Sequence, residues 1–279
     1  MESADRHAQP GPAPAAFGTP GAARATEDSA AAQPSPASDA PGPAWKLAPD
    51  GTLVVSRRAM QWLDRRAIDH YRIPEIVLME SAGAGCARIA VELLGGARGR
   101  RVHLLCGRGN NGGDGFVIAR RIADAGADAR TFVSGGAAAV RPGGAAHANL
   151  ERLRRLGLPV EDSLPGDRAP LGGCDLLVDA LFGTGLDRPL EAHDFALVEA
   201  ANACGVPILA VDIPSGLDAD TGLPLGAAVR ARRTVALAFP KLGFGMGEGP
   251  ERTGEVTVVD IGIPRRAVED LYRMWPPQA

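Results

Sequence analysis

A chain of 279 residues with 45% hydrophobic and 23% charged side chains has the composition of a soluble globular protein, with room for one large or two small domains. A formal charge of −3 without a basic cluster argues against a nucleic-acid partner, and no run of about 18 apolar residues is present to span a membrane. Cys86, Cys106, Cys174 and Cys204 stand far apart with no C-x-x-C pair, which fits small buried hydrophobes in a reducing, cytoplasmic compartment better than disulfides or metal ligands.

Residues 1–50 are dominated by Ala, Pro, Gly and Ser, and nine of the 23 prolines fall there. Such a segment buries too little apolar area to offset its ordering entropy, so a disordered tail is expected. It lacks an apolar h-region and an acid-poor, Arg-rich transit character, and is read as a tail and not an address. From Ser56, a plausible N-cap, Met60, Leu63, Ala67 and Tyr71 recur at helical spacing. A second helix is expected after Pro74, running to Leu94, with Ala82, Gly83, Ala84 and Gly85 allowing close packing on a neighbour.

Strand and helix signals then alternate. Strands are expected at 101–106, 129–133, 175–179, 207–211, 233–238 and 255–260, with helices at 114–126, 143–156 and 190–204. The strands are short apolar runs without alternation, as strands buried on both faces should be. The expected fold is α/β, one doubly wound, mainly parallel Rossmann-like sheet with helices on both faces, over residues 52–275. Ligands of such sheets sit beyond the carboxyl ends of the strands, where the strand order reverses.

Three connections at those ends carry polar residues. The first is the glycine-rich turn Gly107 to Gly115, with Asn110, Asn111 and Asp114 between the glycines. Glycine lets a ligand approach the backbone closely, and a following helix N-terminus offers unpaired NH groups to anions. Gly107, Gly109 and Gly112 formally make G-x-G-x-x-G, but the next strand ends in Ser134-Gly135-Gly136 and not in the carboxylate that a dehydrogenase uses to hold ribose. Oxygen-bearing side chains in this turn suit a hard cation or a polyhydroxylated ligand; the bland alternative is turn and cap geometry.

The second connection begins at Asp179 and the third at Asp212, each after an apolar strand. An acid there is expensive to ionise unless a cation, donors or water compensate, so both are expected to face one polar crevice. The structural alternatives are a turn cap for Asp179 and, for Asp212, an acceptor for the NH groups of Ser215 and Gly216. Asp218 and Asp220 read as solvated turn residues. Ser215 lies in Pro-Ser-Gly, outside the G-x-S-x-G context of a hydrolase nucleophile. His103 and His193 have no partners at metal-ligand spacing and read as packing or surface residues.

Leu78 to Gly83, Gly107 to Gly115, Val178 to Gly185 and Val211 to Gly216 resemble, in order and spacing, the NAD(P)H-hydrate epimerase family, the YjeF N-terminal domain. Pro240-Lys241 and Val258 to Pro264 are similar to its closing segment, and the resemblance covers about residues 56–265. It implies a repair isomerase that interconverts the R and S epimers at C6 of hydrated NADH or NADPH, NAD(P)HX, acting with a separate NAD(P)H-hydrate dehydratase. By matching position, Asn111, Asp179 and Ser215 would hold one potassium ion per subunit. Asn110, Asn111, Gly112, Gly113, Asp114, Gly183, Thr184, Gly185, Leu186, Asp187, Arg188, Pro189 and Asp212 would line the substrate site, with Asp212 as the general acid/base. Some relatives carry a lysine after the second strand of the sheet, where this chain has Ser134-Gly135-Gly136. The resemblance also implies a homodimer through the helices that precede the sheet. The alternatives are a noncatalytic nucleotide-binding or scaffold protein of this fold and an NAD(P)-dependent dehydrogenase.

Overall fold

The computed structural model describes residues 44–161 and 171–276, so the tail expectation over residues 1–43 lies outside the described residues. Trp45–Leu47 (β1) and Leu53–Val55 (β2) form an antiparallel hairpin, so the end of the stretch assigned to the tail is a strand. Helix α1 (Arg57–Arg65) follows, capped as expected: the Ser56 hydroxyl accepts the Ala59 NH at 3.2 Å. It runs on through a π-type turn, Arg66–His70, into α2 (Glu75–Leu93) after Pro74.

The central sheet contains β3 (Arg101–Cys106), β4 (Asp128–Val133), β5 (Val160–Glu161), β6 (Leu176–Ala180), β7 (Ile208–Val211), β8 (Arg233–Leu237) and β9 (Glu255–Val259). All its pairings are parallel, in the order β5-β4-β3-β6-β7-β8-β9. The order runs outward from β3 in one direction and from β6 in the other, so the crevice between their carboxyl ends is the switch point. The short edge strand β5 is an addition to the sequence expectation. Its two residues carry too little pattern to register as a strand.

Alternate residues of the strands feed two cores. Val102, Leu104 and Cys106 pack with α2, α3 (Asn110–Asp124) and α4 (Ala145–Arg155); Leu105, Phe132 and Leu177 pack with α5 (Ala192–Ala203). The small residues of α2 serve close packing: a Cβ on Gly83 would lie 2.4 Å from the Cβ of Val117 on α3. After β8 come α6 (Gly249–Thr253), β9 and α7 (Arg265–Met274). Helix α7 joins α1 and the hairpin in a separate apolar cluster around Met60, Leu63, Ala267 and Leu271. Among the described residues no helix is long and apolar enough to cross a membrane.

Helix α3 starts at Asn110, four residues before the expected 114. Three glycines in its first two turns disfavour helix by propensity, which is why the sequence reads as a loop there. Packing overrides propensity. A Cβ on Gly112 would lie 1.9 Å from the Gly107 carbonyl oxygen, and one on Gly115 would lie 2.5 Å from the Cys106 sulfur. Only glycine lets this helix start so close to the strand it follows.

Candidate functional site

A cavity of about 620 Å³ opens at the switch point, over the carboxyl ends of β3, β6 and β7. Asn110, Asn111 and Asp114 on the first turns of α3, Gly183 to Arg188 after β6, and Asp212 after β7 all border it. Gly183 marks where the three meet. A Cβ there would lie 2.7 Å from Asp212 Oδ2 and 3.3 Å from Asn111 Oδ1. Gly112 and Gly113 lie buried in the first turns of α3, Gly113 against Met79 and Ala146. Pro189 follows directly on the bordering stretch that ends at Arg188.

The α3 N-terminus has no side-chain cap among the described residues, and Gly109, Asn110 and Asn111 at that end border the cavity. Asn110 does not cap it. Its amide donates to Glu75 Oε1 at 2.6 Å, tying the start of α3 to the start of α2. Arg108 borders the same end of the cavity, so NH dipoles and a guanidinium are available to an anion together.

Asp212 sits in a strained turn. Its φ is +67°, and the Ile213 NH donates to the Val211 carbonyl across it at 2.8 Å, a three-residue γ-turn. The next strand ends the same way: Ala238 has φ +58°, with the Phe239 NH donating to the Leu237 carbonyl at 2.7 Å. Left-handed backbone at non-glycine residues is unfavourable and concentrates at functional sites. These two turns bring Asp212 and Lys241 together as a buried ion pair. Lys241 is 0% exposed and also donates to the Leu237 carbonyl at 3.2 Å. The other Asp212 oxygen accepts the Thr184 NH at 3.0 Å and not, as the sequence alternative had it, the NH groups of Ser215 and Gly216.

That second role belongs to Asp179. Fully buried, it accepts the Ser215 NH at 2.8 Å, the Ser215 hydroxyl at 2.6 Å and the Leu181 NH at 3.3 Å. Ser215 in turn accepts the Phe182 NH at 2.9 Å, so Asp179 and Ser215 lock the β6 and β7 connections to each other. Burial raises the Asp179 pKa to about 6, against the pull of the Ser215 and Leu181 hydrogen bonds. No ion pair joins it to a described residue. The buried Asn111 amide nitrogen likewise has no hydrogen-bond partner among the described residues.

Sequence reasoning missed three contributors. Lys241 is one, although it is one of only two lysines among 30 basic residues, a signal available from the chain itself. Asp64 and Glu75, on α1 and α2, also border the cavity. Burial raises Asp64 to about 7, with the charges of Asp212 and Glu75 adding to the effect and Lys241 and Arg65 opposing it. Burial also holds Asp114 well above the usual carboxylate range, reinforced by Asp212, Asp64 and Glu75. Asp218 and Asp220 are half-buried and not solvated, as they clamp α1: Asp218 pairs with Arg57 at 2.5 Å and Asp220 accepts the Arg57 NH at 2.7 Å.

The family model for the YjeF-related protein N-terminus matches residues 75–243. The bifunctional NAD(P)H-hydrate repair enzyme Nnr of Thermofilum pendens is 46% identical over 212 residues, 75% of this chain and 40% of that protein. NAD(P)H-hydrate epimerase of Rhodopirellula baltica is 37% identical over 203 residues, 72% of this chain and 81% of that protein. That of Weissella koreensis is 36% identical over 217 residues, 76% and 92% of the two chains. The chain thus spans about two fifths of the bifunctional relatives and most of the two named NAD(P)H-hydrate epimerase. A yeast crystal structure superposes with a TM-score of 0.65 at 24% identity, over 81% of this chain and 95% of that one, and shares the fold. The chain belongs to the family of YjeF-related N-terminal domains that includes these NAD(P)H-hydrate epimerases.

Proposed function

We propose that this protein epimerises C6 of hydrated NADH or NADPH, with Asp212 as general acid/base. The observation that carries this reading is the convergence of a helix N-terminus, a glycine-rich connection and a paired carboxylate on one cavity at the switch point. The uncapped α3 N-terminus and Arg108 suit the pyrophosphate. Gly183 to Arg188 form the wall against the rest of the nucleotide, and Asp212, held by Lys241 and the Thr184 NH, meets the hydrated ring. The ion pair with Lys241 and the strained turn fix the direction of the Asp212 side chain.

Asn111, Asp179 and Ser215 would hold potassium in the same reading. The fit rests on a fully buried carboxylate that meets only neutral donors among the described residues, with the Asn111 carboxamide oxygen and the Ser215 hydroxyl as further oxygen donors. Such oxygen ligands suit a hard monovalent cation, which would supply the counter-charge that Asp179 lacks. The bifunctional relatives support a partnership with a dehydratase activity that consumes the S epimer. Four free cysteines support a reducing, cytoplasmic setting.

The test is direct. Purified protein is incubated with R-NAD(P)HX and the epimers are resolved by chiral chromatography. Formation of the S epimer faster than the spontaneous rate is expected, and a rate equal to the protein-free control would overturn the assignment.

A further inference from the structure

Asp64 is an acid that the fold holds in place and leaves uncommitted. It lies on the flank of α1 between Met60 and Ile68, one helical turn from each, and all three border the cavity. It makes neither a hydrogen bond nor an ion pair with another described residue. The helix that carries it is fixed at both ends. Arg57 is bound by Asp218 and Asp220 of the β7 connection, and Arg66 pairs with Asp270 of α7 at 2.7 Å. Tyr71 adds a hydrogen bond to the same Asp270 oxygen at 2.9 Å. Two anchors flanking a free carboxyl group describe a preorganised site more than a solvated helix face.

Epimerisation by loss and return of a hydroxyl group needs two proton-handling groups, because the oxygen leaves one face of C6 and returns to the other. Asp212 accounts for one. We propose that Asp64 is the second acid/base group of the reaction, reaching the C6 hydroxyl from α1 while Asp212 works from the end of β7. This inference rests on the epimerase reading and deepens it. Asp64 gives its proton to the C6 oxygen, the C6–O bond breaks and water departs, and the N1 lone pair closes an N1=C6 iminium bond. Water then adds to the opposite face, forming the new C6–O bond as its proton passes to the Asp212 carboxylate. Atoms and charge balance, and solvent returns the proton from Asp212 to Asp64 between turnovers.

The surroundings suit an acid that is still protonated near neutrality. Burial raises Asp64 to about 7. The groups facing it are Asp212 after β7, Lys241 after β8, Glu75 on α2 and Asp114 on α3, with Arg65 beside it on α1. As pH rises through this value Asp64 loses the proton it donates, so turnover is expected to fall on the alkaline side.

The test compares wild type, D64N and D64E in the epimer assay from acid to alkaline pH, with folding checked by circular dichroism. D64N is expected to lower kcat by about 10²-fold or more, to leave KM within a few-fold and to lose the alkaline decline; D64E is expected to restore part of the rate. Wild-type kcat in D64N would overturn the role of Asp64 alone. So would a lowered kcat with the alkaline decline intact and no rescue by D64E, which marks a structural residue. Absence of turnover in wild type would overturn the epimerase reading and the role of Asp64 with it.

Discussion

The ends of β6 and β7 look alike as sequence, each an apolar run closed by an aspartate, yet the two carboxylates live in different electrostatic worlds. Asp179 is fully buried among neutral donors from Ser215 and Leu181, with no cationic side chain among the described residues paired to it. Asp212 borders the cavity, pairs with Lys241 and stands on a strained turn. An acid that accepts three hydrogen bonds from two connections holds loops together. An acid whose charge is balanced from behind, with one side open to the cavity, is available for chemistry.

Removing the cation is the harshest way to break this contrast. Lys241→Met leaves Asp212 without its counter-charge and should destabilise the protein by about 3–5 kcal/mol. Urea unfolding checks it, and the double variant with Asp212→Asn should recover much of the loss if the pair is the cause. Unaltered stability in Lys241→Met would remove the pairing from the account. Ser215→Ala probes the other carboxylate. It deletes the hydroxyl that links Asp179 to Phe182 and should lower stability by about 1–3 kcal/mol. A neutral result would show that the two connections are held by other contacts.

The smallest expected effect concerns the ion. If potassium supplies the charge that Asp179 lacks, it should stabilise the protein by roughly 1.4 kcal/mol at ten times its dissociation constant, relative to tetramethylammonium at equal ionic strength. Thermal denaturation in the two chlorides reads this directly. Asn111→Ala should abolish the difference. An equal melting temperature in both salts would leave Asp179 as a structural acid alone.

The centre of the sheet was legible because parallel strands buried on both faces are continuous apolar runs, a pattern that β3, β6 and β7 keep, whereas the outer β4 and β9 expose several residues and β5 has only two. The convergence of Asn111, Gly183 and Asp212 followed from the rule that such sheets place ligands beyond their carboxyl ends. The early start of α3 was hidden, since glycine opposes helix locally and only the tight fit of Gly112 under Gly107 enforces it. Lys241 and Asp64 were hidden for another reason. Their importance comes from what faces them across the fold, 29 residues away in sequence for the Lys241–Asp212 pair, and no local pattern reports that.

The contrast between the two aspartates is tested most directly by measuring Asp212→Asn against wild type for both epimer turnover and equilibrium binding of NAD(P)HX. Turnover should drop by about 10²-fold or more while binding stays within a few-fold, because the amide keeps the shape of the wall and loses the proton chemistry. Wild-type turnover in this variant would contradict the assignment of Asp212 as the reacting group.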